Sequence, residues 1–227
     1  MSGAVLRSAR QTKSITQATL AARLGVSQGY VSLLETGNRS MSEGLQIKLA
    51  AVLDLGPTGL PLPSNVRPLP GDAVARALGA LGCPGFAHQS ARKAMNPAQV
   101  LVGALLSPEL DARLAEGLAW LLRQFADLDW LWLLPRAKQH DLQNRLGFLV
   151  ELARSSAVAK RDSARVETLG QWRDVLEKSR LDRDEPLSTA KVTDVERRWL
   201  LEHRSPEASR WRVLSALRPE AVQSAVD

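Results

Sequence analysis

The chain reads as all-α: a small helical domain at the N-terminus, a proline-rich linker, and a larger helical domain. Three observations lead there. Apolar residues recur at three- and four-residue spacing through most of the length. Ser, Thr and Asn stand where those periods begin, several times with Pro directly after, which marks capped helix starts. Strand signals are absent from the first 55 residues, and the half beyond residue 107 reads as helix throughout.

Residues 1–55 form the first domain. Val5, Leu6 and Ala9 give one apolar stripe, and Leu20, Leu24, Val31, Leu34, Leu45, Leu49 and Val52 continue the helical spacing. Residues 56–71, GPTGLPLPSNVRPLPG, hold five Pro and three Gly. Pro has no amide proton and pushes its predecessor toward extended backbone, so neither a helix nor an inner strand survives there. A semi-rigid linker is expected.

Residues 72–227 form the second domain. Helices are expected over 72–81 and from Pro97, capped by Asn96, to about Leu106. Ser107, Pro108 and Glu109 read as the next start, with Leu110, Leu114, Leu118, Leu121 and Phe125 on one face. A short Trp-rich segment covers 127–134. Pro135 is expected to open another helix, with Leu142, Leu146, Leu149 and Ala153 inward. Further helices are expected over about 163–181, 193–203 and 206–217. All six tryptophans lie in this half and are assigned to its core, since large aromatics dominate helical packing. A groove for a partner is the alternative.

A length of 227 residues suits one or two domains. The net charge is +6, and its placement carries more information than its size. Residues 1–55 carry a net +3, and residues 56–107, with Arg67, Arg76, Arg92 and Lys93, carry another +3. Residues 108–227 balance to zero. A surface for an anionic partner therefore belongs to the first half. The single cysteine, Cys83, can form no internal disulfide, which fits a reducing cytoplasm. No secretory leader is visible, and no apolar run reaches the roughly 18 residues of a membrane span, so a cytoplasmic protein is expected.

The informative stretch is residues 15–37, ITQATLAARLGVSQGYVSLLETG. It reads as two short helices joined by a tight turn. Thr16 caps the first, and Ala18, Ala21 and Ala22 leave room for a crossing helix. Gly25 sits where a left-handed residue is wanted, and Val26 is expected to be buried in the turn. Ser27 caps the second helix, from about Gln28 to Glu35, with Val31 and Leu34 inward and Gly37 ending it. Its outer face carries Gln28, Gly29, Ser32 and Thr36, with no acid at the leading end. A helix fits the major groove of B-DNA, and a glutamine can bond adenine in a bidentate way. Glu35 is read as structural, pairing with Arg23 or capping a loop.

These residues resemble a known family. Gln17, Leu20-Ala21, Leu24-Gly25-Val26-Ser27, Val31-Ser32, Leu34-Glu35 and Gly37 match the Xre pattern, the phage Cro and lambda-repressor type, with Leu45, Leu49, Ala50 and Leu53 matching its closing helices. The resemblance covers residues 5–55. It implies a five-helix lambda-repressor-like domain that reads double-stranded DNA as a symmetric dimer. It further implies that Gln28 contacts a base and that Gln17 touches phosphate and buttresses its neighbour. Ser32 is then groove-facing, and Thr36 and Arg39 meet the backbone. Ser27, at the helix start, offers free amides to phosphate. Gly29 departs from the pattern, which implies fewer base contacts. Tyr30 is larger than usual, and either stacks on the sugar-phosphate edge or packs.

Nothing in the sequence points to catalysis. The three histidines, His88, His140 and His203, are far apart, and Cys83 with His88 has no second pair to complete a zinc site. There is no phosphate-binding glycine loop, nucleophile elbow or HExxH, so no metal and no cofactor are expected. The second domain is expected to dimerise the readers or to bind a protein or small effector. Residues 142–152, LQNRLGFLVEL, resemble a helical element of bacterial antitoxin-regulators paired with nucleotidyltransferase-like toxins. The two functions that follow are a dimeric repressor on a palindromic operator, or an antitoxin that represses its own operon and binds a toxin through the second domain.

Overall fold

The computed structural model describes residues 3–89, 94–125, 127–188 and 190–224. They fall into two compact units that divide between Ser64 and Asn65. No helix among them is long and apolar enough to cross a membrane.

The N-terminal unit holds α1 (Gly3–Thr12), α2 (Gln17–Leu24), α3 (Gln28–Glu35) and α4 (Glu43–Val52), then a single 3₁₀ turn, Pro57–Gly59. Thr16, Ser27 and Ser42 have extended backbone, and their hydroxyls accept the N–H of Thr19, Tyr30 and Leu45. Each satisfies one amide that a helix start otherwise orphans. Gly25 has φ +72°, which lets its N–H turn back onto the Ala21 and Ala22 carbonyls and ends α2 sharply. Leu6, Leu20, Ala21, Leu24, Val31, Leu34, Leu49 and Leu53 make the core, with Val26, Tyr30, Leu45 and Val52 at its edge. Ala21 is the alanine of α2 that packs; Ala18 and Ala22 are exposed.

One buried ion pair ties this unit together. Arg10 Nε donates to Glu35 Oε1 at 2.6 Å and Nη2 to Oε2 at 3.1 Å, while Nη1 donates to the Ile15 carbonyl at 2.6 Å. Gln17 Nε2 adds a bond to Glu35 Oε2 at 2.9 Å. The partner is Arg10 of α1 and not Arg23, which is exposed at the end of α2. The Glu35 side chain is 2% exposed. A carboxylate that far from water persists ionised only when fully bonded, and this one is. Gly3 packs so closely on the end of α3 that a Cβ there would clash with the Leu34 and Glu35 carbonyl oxygens.

The C-terminal unit holds α5 (Gly71–Ala80), a 3₁₀ segment (Pro84–Gln89), α6 (Pro97–Leu105), α7 (Ala112–Gln124), α8 (Trp130–Gln139), α9 (Gln143–Ala159) and α10 (Ser163–Glu177). After these come β1 (Glu185–Pro186), α11 (Asp194–His203), α12 (Pro206–Arg210), β2 (Val213–Leu214) and α13 (Pro219–Ser224). Helix α9 is the axis. Every residue from Gln143 to Ala153 is buried, and α7, α8, α10, α12, α13 and β2 pack around it. A helix covered on all sides needs no polar face, yet this one carries Asn144 and Arg145. Asn144 bonds the backbone of Leu181 in both directions, at 2.8 and 3.0 Å. Arg145 pairs with Glu185 at 3.2 Å and donates to the Leu105 carbonyl at 3.3 Å. Burial raises the Glu185 carboxyl above its ordinary range despite the nearby arginine. Burial also pushes the Cys83 thiol up to about 11, so it stays an inert core thiol.

The proline-rich stretch is shared between the units. Its start forms the 3₁₀ turn of the first. Its end is docked on the second, where Leu69 N–H donates to the Gly103 carbonyl at 2.9 Å and Gly71 N–H to Glu109 at 2.6 Å.

Among the described residues the first unit has four helices and a 3₁₀ turn where the resemblance implies five helices, because Pro57 stops a further α-helix; α10 ends at Glu177 and not near Leu181, and three other helix boundaries differ from the sequence expectation. Helix α7 begins at Ala112, because Asp111 caps Leu114 at 2.8 Å, while Ser107 closes only a local turn on Glu109. Pro135 lies inside α8, which Asp129 starts by capping Trp132 at 2.9 Å; Asp141, at φ +54°, then separates α8 from α9. The helix from Pro206 stops at Arg210. Arg212 has φ +52°, and Val213–Leu214 pair in parallel with Glu185–Pro186. The tryptophans also divide: Trp120, Trp130 and Trp211 are buried, whereas Trp199 is 51% exposed.

Two outcomes follow. Alanine normally favours a helix over glycine, but a Cβ at Gly147 would overlap the Trp211 ring. Gly147→Ala should therefore lower stability by about 1–3 kcal/mol, the usual cost of overpacking, seen as a lower thermal midpoint by tryptophan fluorescence. The second concerns acid. The bond from Arg10 holds the Glu35 carboxyl below its usual range, so its stabilisation is full above that range and is lost as pH falls through the depressed value. Protection of the Val31 and Leu34 amides from hydrogen exchange should fall as the pH drops below the usual carboxylate range, more steeply in the wild type than in Glu35→Gln. Arg10→Ala should destabilise the unit by about 3–5 kcal/mol at neutral pH, because it strands a buried carboxylate.

Candidate nucleic-acid interface

Helices α2 and α3 and the turn between them present one surface. The Ser27 cap and the free amides of the first turn place the start of α3 at an end with partial positive charge. No acidic side chain stands in that turn. Gln28 and Gly29 are exposed there, and a Cβ on Gly29 would meet nothing within 4 Å. Gln28 is thus a long, amide-bearing side chain beside an open notch. Ser32 is partly buried one turn on, and Thr36 is exposed at the far end.

Several predicted residues are already engaged within the fold. The Ser27 hydroxyl accepts from Tyr30 N–H at 3.2 Å, which leaves its own proton to offer outward. Thr36 Oγ1 donates to the Ser32 carbonyl at 3.0 Å and accepts from Asn38 at 3.1 Å. Tyr30 packs against the core edge, with the Arg39 guanidinium 6.0 Å above its ring. That geometry favours packing over stacking on a sugar. Gln17 gives an amide proton to Glu35, so it steadies the junction of α2 and α3.

Arg10 is consumed by Glu35, and Lys13 pairs with Asp54 at 3.1 Å. Arg7, Arg23, Arg39 and Lys48 are all exposed. The sequence-predicted cations Arg92 and Lys93 lie outside the described residues. Among the described residues no group of three or more His, Cys, Asp and Glu side chains could hold a metal ion.

Leu33 was missed by pattern reading. It is 45% exposed on the outer side of α3, one turn after Gly29. The signal was present, since an apolar residue between Val31 and Leu34 does not fit a single inward stripe. An exposed leucine there offers methyl contact to a thymine. The segment 142–152 is different again: it lies within the buried axis helix, so its apolar pattern is spent on the core.

Comparison with known proteins agrees with this geometry for the first unit. Residues 3–61 match the family model described as a helix-turn-helix domain. No curated protein and no solved structure matches the chain. The match spans α1 to the 3₁₀ turn, and it includes the capped helix pair, the left-handed Gly25 and the exposed leading end of α3. The N-terminal unit of this protein is a helix-turn-helix domain, the kind of module that binds DNA.

Proposed function

We propose that the protein is a sequence-specific transcriptional regulator, a dimeric repressor that reads a palindromic operator by laying α3 in the major groove. The observation that carries this reading is the leading end of α3. Gln28 is exposed beside a capped helix start, and no acid stands in the turn. Glutamine can donate to and accept from one adenine edge at once. Exposed Arg7, Arg23, Arg39 and Lys48 suit phosphates on either side. Repression is the simplest consequence, because a dimer seated on a promoter blocks polymerase without further apparatus. Two half-sites about one helical turn apart supply the affinity that one small reader lacks.

A second reading is an antitoxin that controls its own operon and binds a protein partner through the C-terminal unit. Helix α8 favours it. Leu131 is 87% exposed, and beside it Arg136 stacks 4.2 Å from the Trp132 ring. Apolar, Trp and Arg side chains grouped on a surface are the usual anchors of protein interfaces. Co-purification with the product of an adjacent gene, abolished by Leu131→Asp, would support this reading.

Fluorescence anisotropy on the DNA upstream of its own gene tests the main reading. Binding should exceed that to scrambled DNA by at least about a thousandfold. Gln28→Ala should cost about 1–3 kcal/mol and relax preference at one base pair per half-site. An unchanged base preference in a binding selection would remove Gln28 from the readout. Affinity should also fall steeply with salt, and Arg39→Ala should flatten the slope by about 0.9 per cation removed, as counterion release requires. A slope unaffected by Arg39→Ala would place that arginine away from the phosphates.

A further inference from the structure

The outer face of α3 is divided lengthwise. Gln28 and Ser32 stand four residues apart and form a polar row, and Gly29 and Leu33 form a second row beside it. At about 100° per residue, Gly29 points almost directly away from the buried Val31 and Leu34, and Leu33 lies about 40° from it. This second row holds no polar side-chain atom. Thr36, next on the same face, donates its hydroxyl proton back to the Ser32 carbonyl.

The fold asks for neither residue of the second row. Leu33 is 45% exposed and stands outside the core of its unit. Gly29 lies within a helix, has no positive φ, and a Cβ there would meet nothing within 4 Å. An alanine would make the better helix at no steric cost. Helical side chains lean toward the N-terminus of their helix, so Leu33 covers the turn that Gly29 leaves bare. The two residues form a shallow apolar notch with a leucyl wall, on the outer side of the second helix of the helix-turn-helix.

What fits the notch follows from the chemistry of base edges. In the major groove the one apolar group is the C5 methyl of thymine; the other features are hydrogen-bond donors and acceptors. Leucine can satisfy none of those, and glycine leaves room for a methyl to approach the backbone. Leucine is also blind to the group beside that methyl, an acceptor oxygen in thymine and a donor amine in cytosine. A cytosine methylated at C5 presents the same methyl and is received in the same way.

We propose that Gly29 and Leu33 form a methyl-reading notch, so that DNA binding responds to the C5 methyl of one pyrimidine, whether on thymine or on 5-methylcytosine. The proposal rests on the reading of α3 as the helix that enters the major groove. It adds that one step of the site is recognised by apolar contact alone, and that cytosine methylation at that step strengthens binding. Gln28, in the polar row, reads by hydrogen bonds and is separate from it.

The test uses the full chain and a pool of random duplexes. The site enriched from ordinary DNA is resynthesised with each thymine replaced in turn by uracil, which removes the methyl and nothing else. Fluorescence anisotropy should find a thymine at which uracil weakens binding about fourfold, the effect of burying one methyl. At the same step a cytosine–guanine pair should bind about fourfold more tightly once its cytosine carries the C5 methyl. Leu33→Ser should bring both ratios close to one while preferences at the other steps persist. Gly29→Val, which fills the notch, should do the same. Both positions are exposed, and circular dichroism verifies that the variants fold. Specific binding that is indifferent to uracil at every thymine overturns the proposal and leaves the regulator reading standing. A methyl effect that survives Leu33→Ser overturns it too, as does a gain from uracil confined to thymine with none from 5-methylcytosine. A pool that yields no enriched sequence overturns the regulator reading and the notch together.

Discussion

Glu35 closes α3 at the point where Arg10 of α1 and Gln17 of α2 reach it, and the geometry of the helix-turn-helix depends on that meeting. The apolar core of this unit is small, and apolar contact is non-directional. It can gather four short helices without fixing their angles. A buried carboxylate is less forgiving, because each oxygen must find a donor or suffer the full cost of dehydration. Glu35 therefore sets the register of α1 against α3, and through Gln17 the start of α2. The direction in which Gln28 leaves the protein is a consequence of that register. Arg10 also holds the Ile15 carbonyl, which fixes the loop that feeds the first reader helix.

The second unit solves a comparable problem with its axis helix. Asn144 and Arg145 sit on α9 among apolar neighbours, and both reach the segment after α10. They hold residues 181–186, which are too short and too polar to be placed by burial alone. That segment in turn pairs with Val213–Leu214 and leads into α11. Trp211 completes the arrangement by lying against Gly147, where any side chain would collide with it. The cost is visible in the raised Glu185 carboxyl, and polar atoms of Arg145 and Glu185 remain without hydrogen-bond partners. These polar residues give the unit specificity of arrangement more than they give it stability.

Local chemistry made much of the first unit readable in advance. Thr16, Ser27 and Gly25 act on backbone groups within four residues of themselves, so their roles need no knowledge of the rest of the chain. The helices 17–24 and 28–35, and the outward placement of Gln28 and Gly29, follow from those caps and from the 3.6-residue period. The same holds for Asn96 before α6 and for Thr193 before α11. Where a stretch offered two competing caps, local reading chose wrongly. Ser107 and Asp111 both precede α7, and Asp129 and Pro135 both signal α8. Which one starts the helix depends on where the resulting apolar face lands.

By itself, then, the sequence determined an all-α chain with a helix-turn-helix at its N-terminus, because periodicity and capping are short-range and additive along the chain. Tertiary structure alone decided the partners of charges and aromatics. That Glu35 meets Arg10 and not Arg23, that Tyr30 packs at the core edge, that Leu33 faces outward, and that Trp211 is buried while Trp199 is bare could not be read from spacing. These are contacts between residues far apart in sequence, and long side chains can reach several candidates at similar spacing. Only the packed core selects among them, since it alone sets which groups lose their water and must find a partner.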